Sequence, residues 1–306
     1  MRSSELAINP KYEHLWHIAN QANPPLLSLR IKNGNSASHN KVLHIDALGL
    51  QGDDNLRKTR DGHVYFGTLK HSLPDSKGNL EVLNDYVLPA TSMPVGRDPK
   101  AIQQLLVADG CDQKQPRHRG RQMQVFFSVA QNGFVIEDLG VGMGTYLRVD
   151  RELRLDCNEL INIGTSLLLV SQMDLDDQGQ PFLKAKVCGG PNNGKIFSLN
   201  PVLGKNYVLG RSENCDLHLS DCVLSQRHCI FRFETTVQDT DTQDCSSARV
   251  AGTAGAWVLE DGNCGKRSLN GTWVYLKAPT LLQNKMTIKV SEILFEASVT
   301  NTGLTS

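Results

Sequence analysis

The spacing of apolar and polar residues divides the chain into a short opening segment and two long series of β-type runs. Residues 10–20, "PKYEHLWHIAN", read as a short helix. "PP" at 24–25 breaks that pattern, and "KNGNSASHNK" at 32–41 reads as linker. From about residue 41 the runs are short, apolar and punctuated by Gly, Asn, Asp and Pro. The first series is "VLHIDAL", "HVYFG", "QVFFSV", "FVIEDL", "TYLRV" and "SLLLV". The second starts near residue 183 with "LKAKVCG", "KIFSL", "YVLG", "LHLS", "CIFRF", "AWVLED", "GTWVYL" and "MTIKV". Short strands at such spacing predict β-sandwiches. "MDLDDQGQP" at 173–181 reads as the link between the series.

Two stretches interrupt the strands. Residues 90–121 hold a helix-like segment, "PKAIQQLLVADG", followed by the basic run "QKQPRHRGR". Residues 235–255 are polar and small, and read as a loop.

The two series repeat one another in the same order. "YFGTL" matches "VLGRS", "LNDYVLP" matches "LSDCVLS", "FVIEDLG" matches "WVLEDGN", and "GMGTYL" matches "LNGTWV". The expected plan is a helix and linker at 1–40, then a sandwich at 41–172 with an insertion at 90–121. A linker at 173–182, a second sandwich at 183–299 and a tail at 300–306 complete it.

Composition narrows the function. The 306 residues carry 32 basic and 32 acidic side chains, so net charge is zero. That balance argues against a general polyanion-binding surface. The basic run of Lys114, Arg117, His118, Arg119 and Arg121 lacks the interleaved aromatics that stack on bases, so nucleic acid is not the expected partner. The N-terminus lacks an apolar signal-peptide core, and no stretch approaches the ~18 apolar residues of a membrane span. An intracellular location, cytoplasmic or nuclear, is the expectation, with no membrane partner. Of the 8 cysteines, Cys215, Cys222 and Cys229 recur every seven residues, but they lack the close pairing of zinc sites. No metal or cofactor is implied. "GGPNNGK" at 189–195 mimics a nucleotide-phosphate loop. Ile196 stands where a magnesium-binding hydroxyl is needed, so a β-hairpin turn is predicted instead.

Three loop stretches of the second series concentrate polar groups: Gly210-Arg211-Ser212, Ser225-Gln226-Arg227-His228 and Ser268-Leu269-Asn270-Gly271-Thr272. Arg211 offers a planar fork of donors suited to phosphate oxygens. Ser225 adds a hydroxyl, Gln226 an amide, and Asn270 both a donor and an acceptor for a peptide main chain. No paired carboxylates and no nucleophile–base set accompany them, so the cluster suits holding a phosphate rather than cleaving it. Taken singly, Arg211 is a strand-end arginine, Ser225 a turn residue and Asn270-Gly271 a hairpin turn.

Taken in order, G-R, S-x-x-H and N-G-T resemble the forkhead-associated (FHA) domain family over roughly residues 183–299. The resemblance implies an all-β protein: two tandem FHA-type β-sandwiches behind a short N-terminal helical segment. It also implies a non-enzymatic adaptor that binds phosphothreonine-containing proteins and takes no small-molecule substrate. Arg211 and Ser225 would bind phosphate, with Gln226 and Arg227 beside them, and Asn270 would hold the peptide backbone. Gly210, His228, Gly271 and Thr272 would build the frame. The family often has Thr or Ser directly before the Asn. Here Leu269 takes that place, and Ser268, one residue earlier, is the candidate to compensate. In the first series Thr68, Pro89 and Met143 stand where Arg211, Ser225 and Asn270 stand in the second. That copy reads as degenerate, a scaffold or phosphate-independent interface. The alternative reading is an interaction protein in which neither copy reads phosphate.

Overall fold

The computed structural model describes residues 13–33, 40–51, 63–74, 80–89, 122–140, 143–150, 152–172, 182–235, 255–263, 265–290 and 293–300. The helix-like part of the insertion, the basic run and the linker at 173–181 lie outside the described residues. Among those described, one helix, α1 (Glu13–Ala19), precedes a chain that is otherwise strand, turn and loop.

The structure groups these elements into two compact units that do not follow the sequence repeats. One combines the described residues up to Leu147 with those from Leu276 onward. The other runs from Arg148 to Tyr275.

The first unit begins with α1, whose Leu15 is buried. Next come β1 (Leu26–Ile31), β2 (Val42–Asp46), β3 (Gly49–Leu50), β4 (Val64–Pro74), β5 (Leu80–Pro89), β6 (Met123–Ser128), β7 (Gly133–Asp138) and β8 (Thr145–Arg148). Residues 26–31, expected to belong to a helix-and-linker segment, form a strand. Leu27, Leu29 and Ile31 alternate inward and are buried, the period-2 pattern of a strand facing a core. The unit is completed from the far end of the chain by β19 (Thr280–Leu281), β20 (Thr287–Val290) and β21 (Ile293–Thr300). Numbering follows chain order, so β9 to β18 fall in the other unit. One sheet runs β8-β20-β21-β1-β2-β3 and the other β19-β7-β6-β4-β5. Leu29, Ile45, Phe66, Met123, Phe134, Ile288 and Phe295 share the core.

The second unit holds β9 (Leu153–Arg154), β10 (Leu160–Ile163), β11 (Ser166–Gln172), β12 (Leu183–Cys188), β13 (Ile196–Leu199), β14 (Asn206–Gly210), β15 (Leu217–His218), β16 (Cys229–Thr235), β17 (Gly255–Asp261) and β18 (Thr272–Tyr275). Its strands run β13-β12-β11-β10-β18 on one side and β15-β14-β16-β17-β9 on the other. Between them lie Ile161, Ile163, Leu168 and Val170 of the first repeat with Leu209, Phe231, Trp257 and Leu259 of the second. Strand β10 pairs antiparallel with β18, Ile163 opposite Thr272. Strand β9 pairs with β17, Leu153 opposite Leu259. Arg232 on β16 ties the same edge electrostatically, bonding Glu152, Glu234 and Glu260. The turn between β12 and β13, residues 189–195, carries Gly189, Gly190 and Gly194 at positive φ, as a tight hairpin requires.

Candidate functional site

Three loops of the second unit gather the polar residues singled out in the sequence. They join β14 to β15, β15 to β16, and β17 to β18. The first two are tied by main chain: Arg211 N–H donates to Ser225 O, and Ser212 N–H to Gln226 O, both at 3.1 Å. Gly210 makes this approach feasible. A Cβ there would fall 2.2 Å from the Gln226 carbonyl oxygen and 3.0 Å from Arg227 Cα, so only hydrogen fits.

Arg211 projects outward and is exposed, with no hydrogen-bond or ion-pair partner for its guanidinium among the described residues. Gln226 and Arg227 are also exposed. Ser225 is half-buried, and its Oγ accepts Leu269 N–H at 3.0 Å. That bond fixes the oxygen and leaves the hydroxyl hydrogen to be donated outward. Asn270 Nδ2 donates to Val223 O at 2.8 Å, crossing between the second and third loops. Its Oδ1 keeps acceptor capacity for a peptide N–H.

Behind this surface stands His228, whose residue is fully enclosed. Its Nδ1 accepts Ser225 N–H at 3.3 Å, which assigns the ring proton to Nε2. That nitrogen donates to Gly271 O at 3.1 Å. One ring therefore holds both the serine loop and the asparagine loop. Burial pushes its pKa below the ordinary imidazole value. The Gly271 carbonyl, Asp261 and Asp221 pull it back only in part, so the ring is neutral near pH 7. Gly271 sits at φ 76°, a backbone region that side chains strain.

Asp261, the last residue of β17, organises the third loop. Its Oδ1 accepts Thr272 Oγ1–H at 2.7 Å and Ser268 Oγ–H at 2.5 Å. Ser268 is only 5% exposed, so its hydroxyl faces the interior and is committed to Asp261. The structure thus brings Arg211, Ser225, Gln226, Arg227 and Asn270 to one surface, with Gly210, His228, Gly271 and Thr272 as the frame. It turns Ser268 away. Leu269 is 84% exposed and presents its side chain where a hydroxyl was expected.

Two frame residues were not singled out from the sequence. Asp261 had a visible signal, since the "ED" of "WVLED" recurs as "ED" in "FVIED". Asp221 had a similar one in the shared "D" of "LSDCVLS" and "LNDYVLP". Burial works against its charge, but bonds from Thr165 and Val223 outweigh that cost and hold the carboxyl below the usual carboxylate range.

In the first repeat the aligned positions are placed differently. Thr68 and Pro89 lie on paired strands: β4 and β5 run together with Phe66 opposite Pro89 and Thr68 opposite Val87. Met143 sits in a turn and is 70% exposed.

Residues 207–291 match the family model of the FHA domain, so the chain carries one FHA domain over that span. The match begins on β14 and ends after β20. Among solved structures the chain is similar to the crystal structure of the MEK1 FHA domain in complex with a phosphothreonine peptide of HOP1. The identity is 12% and the TM-score 0.17, over 48% of this chain and 100% of that one. No curated protein matches the chain.

Proposed function

We propose that the FHA domain binds phosphothreonine-containing segments of partner proteins, and that the chain acts as a non-enzymatic adaptor. The observation that carries this reading is the surface shared by Arg211, Ser225 and Asn270. A free guanidinium, an oriented hydroxyl and a clamped amide lie on three mutually bonded loops. Such a set supplies charge-assisted bonds to a phosphate and one main-chain grip for the peptide that bears it. Gln226 and Arg227 extend the donor surface. Ser268 has no part in it, because its hydroxyl is spent on Asp261.

The first repeat is a degenerate FHA copy in this reading. Thr68 carries no charge, Pro89 has neither a hydroxyl nor an N–H to donate, and Met143 has no amide. A phosphate placed there would lose its water with little in return. Its role is scaffold or phosphate-independent interface.

The test is an array of phosphorylated peptides and their unmodified twins, probed with the full chain. Binding should require the phosphate. Arg211→Ala should cost about 1.5–3 kcal/mol, the worth of one hydrogen bond to a charged group. That is roughly a tenfold to hundredfold rise in Kd by calorimetry. Equal affinity for a peptide and its dephosphorylated form would overturn the reading and leave a plain interaction module.

A further inference from the structure

The phosphate loop is not self-supporting, and its support comes from the other sequence repeat. The two-residue turn between β10 and β11 is Gly164-Thr165. Strand β10 lies beside β18, with Ile163 opposite Thr272, so this register carries the turn to the strand that follows Asn270 and Gly271. There it meets Asp221. Thr165 gives both its N–H and its Oγ–H to Asp221 Oδ2, each at 2.8 Å. The other carboxylate oxygen accepts Val223 N–H at 2.9 Å. Val223 O in turn accepts Asn270 Nδ2–H, and Leu224 N–H donates to Asp221 O at 3.1 Å. Leu224, 2% exposed, anchors the residue next to Ser225. A continuous hydrogen-bond path therefore runs from Thr165 through Asp221 and Val223 to Asn270.

The turn is shaped for that carboxylate. Gly164 sits at φ 56°, and a Cβ on it would fall 2.5 Å from Asp221 Oδ2 and 3.0 Å from Leu224 Cδ2. Asp221 is 4% exposed, so its charge needs these donors. The sequence of the second repeat offers no threonine at the matching place. Its matching hairpin, β20 to β21, has the same two-residue spacing, but the residues there are Ser291 and Glu292. A glutamate at the Thr165 position would set one carboxylate against another.

We infer that Thr165, contributed by the first repeat, is a positioning residue for the phosphopeptide site of the second. The first repeat thereby completes that site instead of standing apart from it. The claim about binding rests on the function proposed above, while the claim about loop support does not.

The experiment uses the full chain with Thr165→Val, which keeps the shape and removes the hydroxyl, and Thr165→Ser, which restores it. Asp221→Asn serves as a second variant should Thr165→Val lose the fold. Two readouts are needed. The first is amide hydrogen exchange of Val223, Leu224 and Ser225 without ligand. The second is the Kd for a phosphothreonine peptide chosen from the array with wild-type protein. In Thr165→Val, loop exchange should quicken and Kd should rise on the order of tenfold, the loss of one bond to a charged group. Exchange in β12 should stay unchanged, and Thr165→Ser should return both readouts to near wild type. Unaltered loop exchange in Thr165→Val and Asp221→Asn overturns the inference. Altered loop exchange with no phosphopeptide bound by wild type keeps the loop support and overturns only the function.

Discussion

His228 faces two loops with one neutral ring, so its protonation should weaken both at once. The native ring resists the proton because it is buried, whereas the unfolded ring takes it near pH 6.5. Below that pH the unfolded chain binds a proton that the native state refuses. Its contribution to stability is therefore complete above about pH 6.5 and declines as pH falls through the lower native value. Asp221 acts at more acid pH. Its contribution holds above the ordinary aspartate pKa of about 3.9 and is lost as pH falls through its depressed native value. His228→Gln should lower Tm at pH 7.5, and the gap between it and wild type should narrow from pH 7 to pH 5. A gap constant across that range would mean the ring does not titrate as argued. The sequence singled out Arg211, Ser225, His228 and Asn270 by their order, and the structure places them on three loops bonded to one another. The direction of Ser268 was not legible. Nothing in "RSLNGT" says that its hydroxyl closes on Asp261 while Leu269 points out.

At the scale of elements, the alternating apolar pattern located most strands, since a half-buried strand must repeat every second residue. It passed over β1, whose neighbours "PP" and "KNGNSASHNK" suggested a break. The missed strand is held by pairing on both sides, with β2 and with β21, and that long-range support is invisible locally. The segment 80–89 was not among the runs read as strands either. It forms β5, paired antiparallel with β4, and ends at Pro89 opposite Phe66. The junction of β14 with the serine loop should be sensitive to a single carbon. Gly210→Ala would push that carbon against the Gln226 carbonyl, and overpacking of this kind typically costs about 1–3 kcal/mol. Urea unfolding should show that loss for the unit of Arg148–Tyr275, and phosphopeptide affinity should fall with it. An unchanged midpoint would show that the loop can retreat freely.

Across the whole molecule, the order of matching stretches suggested sandwiches at 41–172 and 183–299, whereas one compact unit joins the described residues up to Leu147 to those from Leu276 and the other is Arg148–Tyr275. Matching stretches report shared residues, whereas units are set by which strands close which core, and β9–β11 help close the core of the Arg148–Tyr275 unit. Both "INIGTSLLLV" and "IKVSEILFEA" offer a short strand, a two-residue turn and a longer strand. A fragment cut at the repeat boundary, residues 183–299, lacks β9–β11 and with them Ile161, Ile163, Leu168 and Val170 of the core. Residues 148–275 contain the full set. The second fragment should give a cooperative thermal transition by circular dichroism and retain phosphopeptide binding. The first should do neither. A stable, binding 183–299 fragment would show that the second repeat can close on its own hairpin.

The exchange of strands also sets a timetable for synthesis. The unit spanning Arg148–Tyr275 has all its strands once β18 has left the ribosome. The unit that starts first must finish last, because β1 pairs with β21, Leu26 opposite Thr300. At about 5–20 residues per second, roughly 15–55 s separate the two partners. Throughout that interval β1 can pair with β2 but has one edge open, the kind of edge on which nascent chains aggregate. Newly made protein should therefore depend on chaperone protection of β1 long after that strand has emerged, while the unit of Arg148–Tyr275 already has all its strands.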